Sequence, residues 1–320
     1  MRIEDHYATM QKLYNKTAFF NVGSMVYFEF LTSYIDSCLK ADLADNGDVT
    51  TTLLHEQFPA KVTAQIIAKQ DGVFSGEEEL EYIAKKAGLN LKMELITMEH
   101  ASGSTNSSGA RFRSGDVICT LKGSAYSILS VERTLLNLLQ RMCGIATAAS
   151  RFETKYTKVA VTRKTPLPFV DKRAAIDGGA LPHRVNLSDA IMIKDTHLDQ
   201  FGRDFNVVEE KLKNAYLRGI SFVEIEVETQ DEALKVAEMA KKLDLKVPMV
   251  VMLDNFIPEN VKNVVKALET DDLWRYVLVE VSGGITSENY KEYDIAGVSV
   301  MSIGGITHSV RVCDISMKIF

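Results

Sequence analysis

The sequence predicts an α/β protein, a β/α barrel preceded by a smaller α/β domain. Two observations carry the barrel. Apolar, β-branched runs recur at 158–162, 190–193, 221–227, 248–253, 276–281 and 298–302, and amphipathic helical patterns lie between most of them, at 203–219, 231–243 and 258–270. Short buried strands spaced by such helices are β/α units of a parallel sheet, and six or seven in succession suggest closure rather than an open sheet. A third observation is the change of texture before residue 140. There, strand-like segments at 61–69, 90–97 and 116–122 accompany a helix at 77–88 that ends in Gly88.

These elements divide the chain into an α/β domain with a helical extension (1–140) and a barrel carrying the active site (141–305), with 306–320 returning to the first domain. The long helical stretch from Ser124 to about Tyr156 leads into the barrel. HASGSTNSSGARFRSG (100–115) reads as a solvated hairpin loop. Phe19 to Ile35, interrupted by Asn21, Glu29 and Ser33, reads as an amphipathic helix and not a membrane span. Residues 1–36 form an extension with no assigned role.

The chain has 320 residues, 46% hydrophobic and 25% charged, enough for a sizeable core, and its net charge of −6 gives no reason to expect nucleic acid or a membrane as partner. Cys38, Cys119, Cys143 and Cys313 are far apart and form no CxxC pair, which points to a reducing, cytoplasmic compartment. The opening MRIEDHYATM carries two acids and no apolar core, unlike a secretory signal.

Reactive groups of β/α barrels gather at the carboxyl ends of the strands. Arg163 and Lys164 follow the first run, Lys194 and Asp195 the second, Glu226 ends the third, and Asp254 and Asn255 end the fourth. Ser282-Gly283-Gly284 and Ser302-Ile303-Gly304-Gly305 close the last two, and His183-Arg184 lies between the first two. Singly, an acid after a strand is more often a helix cap or a surface ion pair, and SGG is usually a turn. Recurrence at strand after strand favours a site. Arg163, Lys164, His183, Arg184 and Lys194 form a cationic set suited to carboxylates. Glu226 and Asp254 are hard oxygen donors suited to Mg²⁺ held partly through water and substrate phosphates. The glycine-rich turns at 282–284 and 303–305 expose backbone N–H groups to a phosphate.

The segments GDVTT (47–51), ERTLLNLLQRMCGIAT (132–147), VTRKT (161–165), GGALPHRVNLSDAIMIKDTH (178–197), VEIEVET (223–229), MLDNF (252–256), EVSGGIT (280–286) and SIGGITHS (302–309) resemble quinolinate phosphoribosyltransferase, in order, from about residue 37 onward. The resemblance implies an incomplete, seven-stranded barrel beside an open-faced α/β sandwich. It implies decarboxylating transfer of phosphoribosyl from phosphoribosyl pyrophosphate to quinolinate, giving nicotinate mononucleotide, pyrophosphate and carbon dioxide, with Mg²⁺ and no organic cofactor, in NAD biosynthesis. It also implies a homodimer or higher oligomer in which Arg133 crosses to the partner's site; by itself, Arg133 reads as a helix residue paired with Glu132. Thr162, from VTRKT, joins Arg163 and Lys164 in the site. The chain departs from the family after TRKT: PLPFVDKRAA stands where TPGLR is common, which reads as a shortened 166–173 loop stiffened by Pro166 and Pro168. IKDTH stands for the more frequent IKDNH. A related phosphoribosyltransferase using nicotinate or another aromatic acid is the nearest alternative. A barrel aldolase or isomerase forming a Schiff base on Lys164 or Lys194 is a remoter one.

Overall fold

The computed structural model describes residues 2–95 and 107–320, so part of the expected 100–115 hairpin and the end of the 90–97 strand lie outside the described residues. In chain order the helices used below are α1 (His6–Tyr14), α2 (Met25–Leu43), α3 (Glu77–Lys86), α4 (Ala125–Ala149), α5 (Pro168–Asp177), α6 (Phe205–Lys213), α7 (Gln230–Leu243) and α8 (Pro258–Thr270). The strands are β1 (Val62–Ala68), β2 (Asn90–Met93), β3 (Val117–Gly123), β4 (Lys158–Ala160), β5 (Ile191–Ile193), β6 (Val223–Val227), β7 (Met249–Asp254), β8 (Val277–Ser282), β9 (Val300–Ser302) and β10 (Ile315–Ile319).

The chain forms two compact units, and their boundaries differ from a division at residue 140. One comprises residues 1–16, 152–163 and 181–305; the other comprises 17–151, 164–180 and 306–320. Residues 1–16 therefore belong with the parallel sheet. The reason is apolar: Ile3, Met10, Leu13 and Tyr14, at helical spacing on and before α1, are buried against Ala160, Ala190, Phe222, Val250, Leu278 and Val300.

The first unit is built on a six-stranded sheet in the order β4-β9-β8-β7-β6-β5, all pairs parallel. Beside β4, Leu181 adds a single parallel bridge to Ala160 in place of a further strand. Strands β6, β7 and β8 are buried on both faces almost throughout, as the continuous VEIEV, MVVML and VLVEV runs require. Helices α7 and α8 are amphipathic, with Ala233, Val236, Ala237 and Ala240 buried on one and Val261, Val264, Val265 and Leu268 on the other. Thr229 caps α7 by accepting the Glu232 N–H, and Pro258 opens α8 at a position that needs no amide proton. Within this unit, Asp294 accepts the N–H groups of Lys155, Tyr156 and Thr157 and fixes the approach to β4.

The second unit carries a four-stranded antiparallel sheet in the order β10-β1-β3-β2. Strand β1 alternates buried and half-buried residues, as a strand with one covered face should. Helix α3 places Glu77, Glu78 and Glu79 in its first turn and Lys85 and Lys86 in its last, matching its dipole, and Gly88 follows it at φ +68°. Helix α4 is the central element: Leu135, Leu136, Leu138, Leu139, Met142, Cys143, Ile145 and Ala146 bury it on nearly every side. It ends at Ala149, short of the expected Tyr156. The expected 166–173 loop is largely helix, because Pro168 occupies the first turn of α5, where its fixed φ favours the helix. Buried Asp171 on α5 receives two hydrogen bonds from Arg141 of α4, at 2.7 and 2.5 Å, and one from Thr165.

The C-terminal strand lies in the same unit. The Cys313 N–H donates to the Gln140 carbonyl at 2.9 Å, and the Gln140 side chain donates to Ile315 at 2.8 Å. This brings the Arg311 backbone so close to α4 that a Cβ on Gly144 would stand 2.5 Å from the Arg311 carbonyl oxygen. Gly144→Ala is therefore expected to destabilise the protein by about 1–3 kcal/mol, as overpacking against backbone does. A urea unfolding curve followed by fluorescence checks it.

Candidate functional site

Strand periodicity places the candidate residues of the first unit on one face of the parallel sheet. Side chains two residues apart share a face, so Phe222, Glu224 and Glu226 line up along β6, Val250, Met252 and Asp254 along β7, and Leu278, Glu280 and Ser282 along β8. The register aligns them across strands: Ser282 pairs with Asp254 and with Ser302, Ser302 with Ala160, and Met252 with Glu226. The face is layered. At the amino ends, an apolar layer is covered by α1. In the middle lie Glu224, Glu280 and Ser302, all buried. At the carboxyl ends stand Thr162, Lys194, Glu226, Asp254 and Ser282.

At this rim, Lys194 Nζ donates to Glu226 Oε2 at 3.0 Å; the Glu226 side chain is 7% exposed and that of Lys194 43%. Asp254 Oδ2 accepts from the Asn255 amide at 2.5 Å, and the Asn255 N–H donates to the Ser282 carbonyl at 2.8 Å. That crossing explains Gly283: at φ +90°, a Cβ there would stand 2.3 Å from Asn255 Oδ1. Gly284 follows, exposed, at φ +63°. Thr162 is half-buried and Arg163 exposed. Arg184 is 8% exposed, and burial, then the like charge of nearby Arg163, lowers its hold on its proton. The like charge of Arg163 favours an anion beside Arg184, and the carboxylates of Glu224 and Asp189 offset part of it.

Several expected contacts are placed differently. Ile303 does not offer its N–H to a ligand: it donates to the Ala160 carbonyl at 2.9 Å and completes the β9–β4 pairing. Gly304 and Gly305 are half-buried beyond it, where a short helix (Gly305–His308) begins. Lys164 belongs to the second unit, exposed, with its carbonyl accepting from Thr307 Oγ1 at 3.2 Å. Arg133 is exposed on α4, also in the second unit.

The largest correction concerns His183. Its side chain is 5% exposed and faces inward, with Nε2 3.2 Å from Glu280 Oε1 and 3.5 Å from Glu224 Oε2. Glu280 also accepts from Tyr14 Oη at 2.7 Å and from Ser302 Oγ at 2.5 Å. His183 therefore serves the buried layer rather than presenting its ring to a carboxylate ligand. Sequence reasoning passed over Glu224, Glu280 and Tyr14. A signal existed: VEIEV carries two glutamates at i and i+2, hence on one face, and only the second lies at the strand's end.

His183, Glu224 and Glu280 offer ligand atoms within 4.8 Å of one another, a spacing that would suit a metal ion. The proton arrangement argues against it. His183 Nδ1 lies 2.7 Å from the Arg184 N–H and must accept from it, so the ring's proton sits on Nε2, the atom a metal would need. Burial is outweighed by Glu280 and Glu224, which push the ring's hold on a proton up to about 9, while the short Nδ1 contact opposes a second proton at that atom. Glu224 also holds a proton more tightly than usual, its carboxyl pushed up to about 7 by burial and then by the charge of Glu280. Among the described residues, neither Glu224 oxygen has a hydrogen-bond partner, which fits a neutral acid better than a buried anion.

The chain resembles known proteins over most of its length. The model for the quinolinate phosphoribosyl transferase C-terminal domain matches residues 145–318, and the model for its N-terminal domain matches 48–143. The chain belongs to the quinolinate phosphoribosyltransferase family. A probable nicotinate-nucleotide pyrophosphorylase [carboxylating] of Methanothermobacter thermautotrophicus is 33% identical over 295 residues, covering 89% of this chain and 97% of that protein. Another from Archaeoglobus fulgidus is 34% identical over 282 residues, covering 85% and 98%. The structure of the nicotinate-nucleotide pyrophosphorylase from Francisella tularensis superposes with a TM-score of 0.73 at 26% identity, covering 91% of this chain and 96% of that one. Among the described residues, no helix is long and apolar enough to cross a membrane.

In this member of the phosphoribosyltransferase family the buried layer predicts a pH effect. A carboxyl raised in the folded state binds its proton more tightly than in the unfolded chain, so Glu224 contributes stability that is full below about pH 4.5 and lost as pH rises towards 7. Glu224→Gln should show a shallower fall of unfolding free energy across that window than the unsubstituted protein. Parallel denaturation curves from pH 4.5 to 8 check it; identical slopes would mean that Glu224 titrates normally.

Proposed function

We propose that this protein catalyses decarboxylating phosphoribosyl transfer: quinolinate and phosphoribosyl pyrophosphate give nicotinate mononucleotide, pyrophosphate and carbon dioxide, a step towards NAD. The observation that carries the reading is the rim itself. Arg163 and Arg184 stand on the same unit as a carboxylate edge of Glu226 and Asp254. A planar dicarboxylate would meet the guanidinium groups, whose paired N–H donors fit carboxylate geometry. Lys194, tied to Glu226, can turn one donor to the ligand while the ion pair holds its stem. Lys164 and Arg133 are expected from the family resemblance to serve the same reaction, Arg133 as the residue supplied by a partner subunit of a homodimer.

Bound side by side, the pyridine nitrogen attacks the anomeric carbon as the bond to pyrophosphate breaks, and positioning removes much of the barrier. The ring nitrogen, now positively charged, stabilises the electron pair that stays on the adjacent ring carbon when its carboxylate departs as carbon dioxide, and that carbon then takes a proton from water. No organic cofactor is required. Glu226 and Asp254 suit Mg²⁺ held through water and substrate phosphates, and the ion would offset charge on the departing pyrophosphate. The N–H groups of 283–284 and 304–305 would hold the ribose phosphate. We read the six-stranded sheet with the Leu181 bridge as the wall of an incomplete, seven-stranded barrel, and the antiparallel sheet with its helices as an open-faced sandwich.

With His183 turned inward, the preference for two carboxylates over one rests on Arg163, Arg184 and the lysines. The Schiff-base alternative loses ground at Lys194, whose amine is engaged by Glu226. Purified protein with phosphoribosyl pyrophosphate and Mg²⁺ should form nicotinate mononucleotide and carbon dioxide from quinolinate and not from nicotinate; product from nicotinate alone would move the protein to the nearest alternative. Arg184→Gln should lower kcat/KM for quinolinate about 100-fold, as loss of a buried charged partner does, in a steady-state assay of nucleotide formation.

A further inference from the structure

We propose that the N-terminal segment positions Arg184, acting through Tyr14 and Lys16 on the backbone at either side of it; this rests on the phosphoribosyltransferase reading above. Both residues precede the part of the chain matched by the family models, which begins at residue 48.

Two chains of contacts, all within the first unit, converge on the 183–189 segment. On one side, Tyr14 Oη donates to Glu280 Oε2 at 2.7 Å, Glu280 Oε1 receives His183 Nε2 at 3.2 Å, and His183 Nδ1 accepts the Arg184 N–H at 2.7 Å. His183 is held at φ +57°, a left-handed conformation that a non-glycine residue keeps only where its surroundings enforce it. On the other side, Lys16 Nζ lies 3.0 Å from Asp189 Oδ1 and 2.5 Å from Ser221 Oγ, and Asp189 Oδ2 accepts the Val185 N–H at 2.8 Å. The Lys16 and Asp189 side chains are 11% and 12% exposed, so this pair is shielded from water and sensitive to loss of either partner.

The N–H of Val185 is thus tied to a side chain that Lys16 holds, and the N–H of Arg184 is tied to His183, which Tyr14 reaches through Glu280. The Arg184 side chain also donates to the Ala190 carbonyl, at 3.4 Å. The hydrogen bonds of Tyr14 and Lys16 described above go to Glu280, Asp189 and Ser221, behind the rim, so their role is positioning. Anchorage of this kind keeps a buried guanidinium pre-set, and a ligand then loses less free energy in ordering it.

Tyr14→Phe keeps the ring that stacks on Phe222 and removes only the hydroxyl. Lys16→Met keeps the stem and removes the charge, and Lys16→Arg is the conservative control. Amide hydrogen exchange on the full-length protein without substrate reads the positioning directly. We expect exchange over 183–189 to speed about tenfold in Tyr14→Phe and Lys16→Met, the scale of one lost buried hydrogen bond, with the second unit unchanged. The KM for quinolinate should rise about tenfold while that for phosphoribosyl pyrophosphate stays within about twofold, and Lys16→Arg should restore most of both. Unchanged exchange over 183–189, or a parallel rise of both KM values, would overturn the proposal. Should Tyr14→Phe fail to fold, the Lys16 pair decides. Absence of turnover by the unsubstituted protein would remove the functional reading, while the exchange result would still judge the anchorage.

Discussion

A carboxylate shut away from water makes demands on everything around it. Glu280, fully buried on β8, accepts hydrogen bonds from Tyr14, His183 and Ser302. An unpaired buried anion would cost several kcal/mol, so these donors must be in place together. They come from α1, from the segment after Leu181, and from β9. The arrangement of the parallel-sheet unit is therefore constrained at its middle layer as firmly as by the apolar layer beneath. Apolar burial is non-directional and would tolerate a shifted helix α1; the Tyr14 hydroxyl would not.

The rim inherits its geometry from these layers. Because strand residues alternate between faces, the burial of Phe222, Val250 and Leu278 under α1 sends Glu226, Asp254 and Ser282 to the opposite end of the same face. Local chemistry then refines the rim: Asn255 crosses onto β8, and Gly283 is the residue that permits the crossing. In the second unit the same principle operates through Asp171. Arg141 and Thr165 both donate to it, and Thr165 directly follows Lys164, so the start of α5 is fixed by a buried charge. In both units, charged side chains that bear no chemistry hold the backbone beside those that would.

Much of the site was legible because each strand announces its own end. Lys194, Glu226, Asp254 and the Ser282-Gly283-Gly284 turn stand where an apolar run meets a polar residue, and the structure sets them at the carboxyl ends of a parallel sheet. His183 was misread because a histidine beside an arginine looks the same in sequence whether its ring faces solvent or core. Ile303 was misread because a glycine-rich turn does not reveal which of its N–H groups pairs with a neighbouring strand. The helix at Pro168 was obscured by two prolines that suggested a stiff loop, although a proline in a first turn costs the helix nothing.

By itself, the sequence determined most of the order of strands and helices, the family, and the residue types at each strand end, since hydrophobic periodicity and turn chemistry act over about a dozen residues or fewer. Only the tertiary structure decided which charged groups face inward and what pairs with them. Tyr14 and Glu280 stand 266 positions apart, and His183 and Glu280 97. No local pattern carries such a pairing. It arises when the register of six parallel strands brings one face of each to a common interior, where any charge left without a partner would oppose the fold.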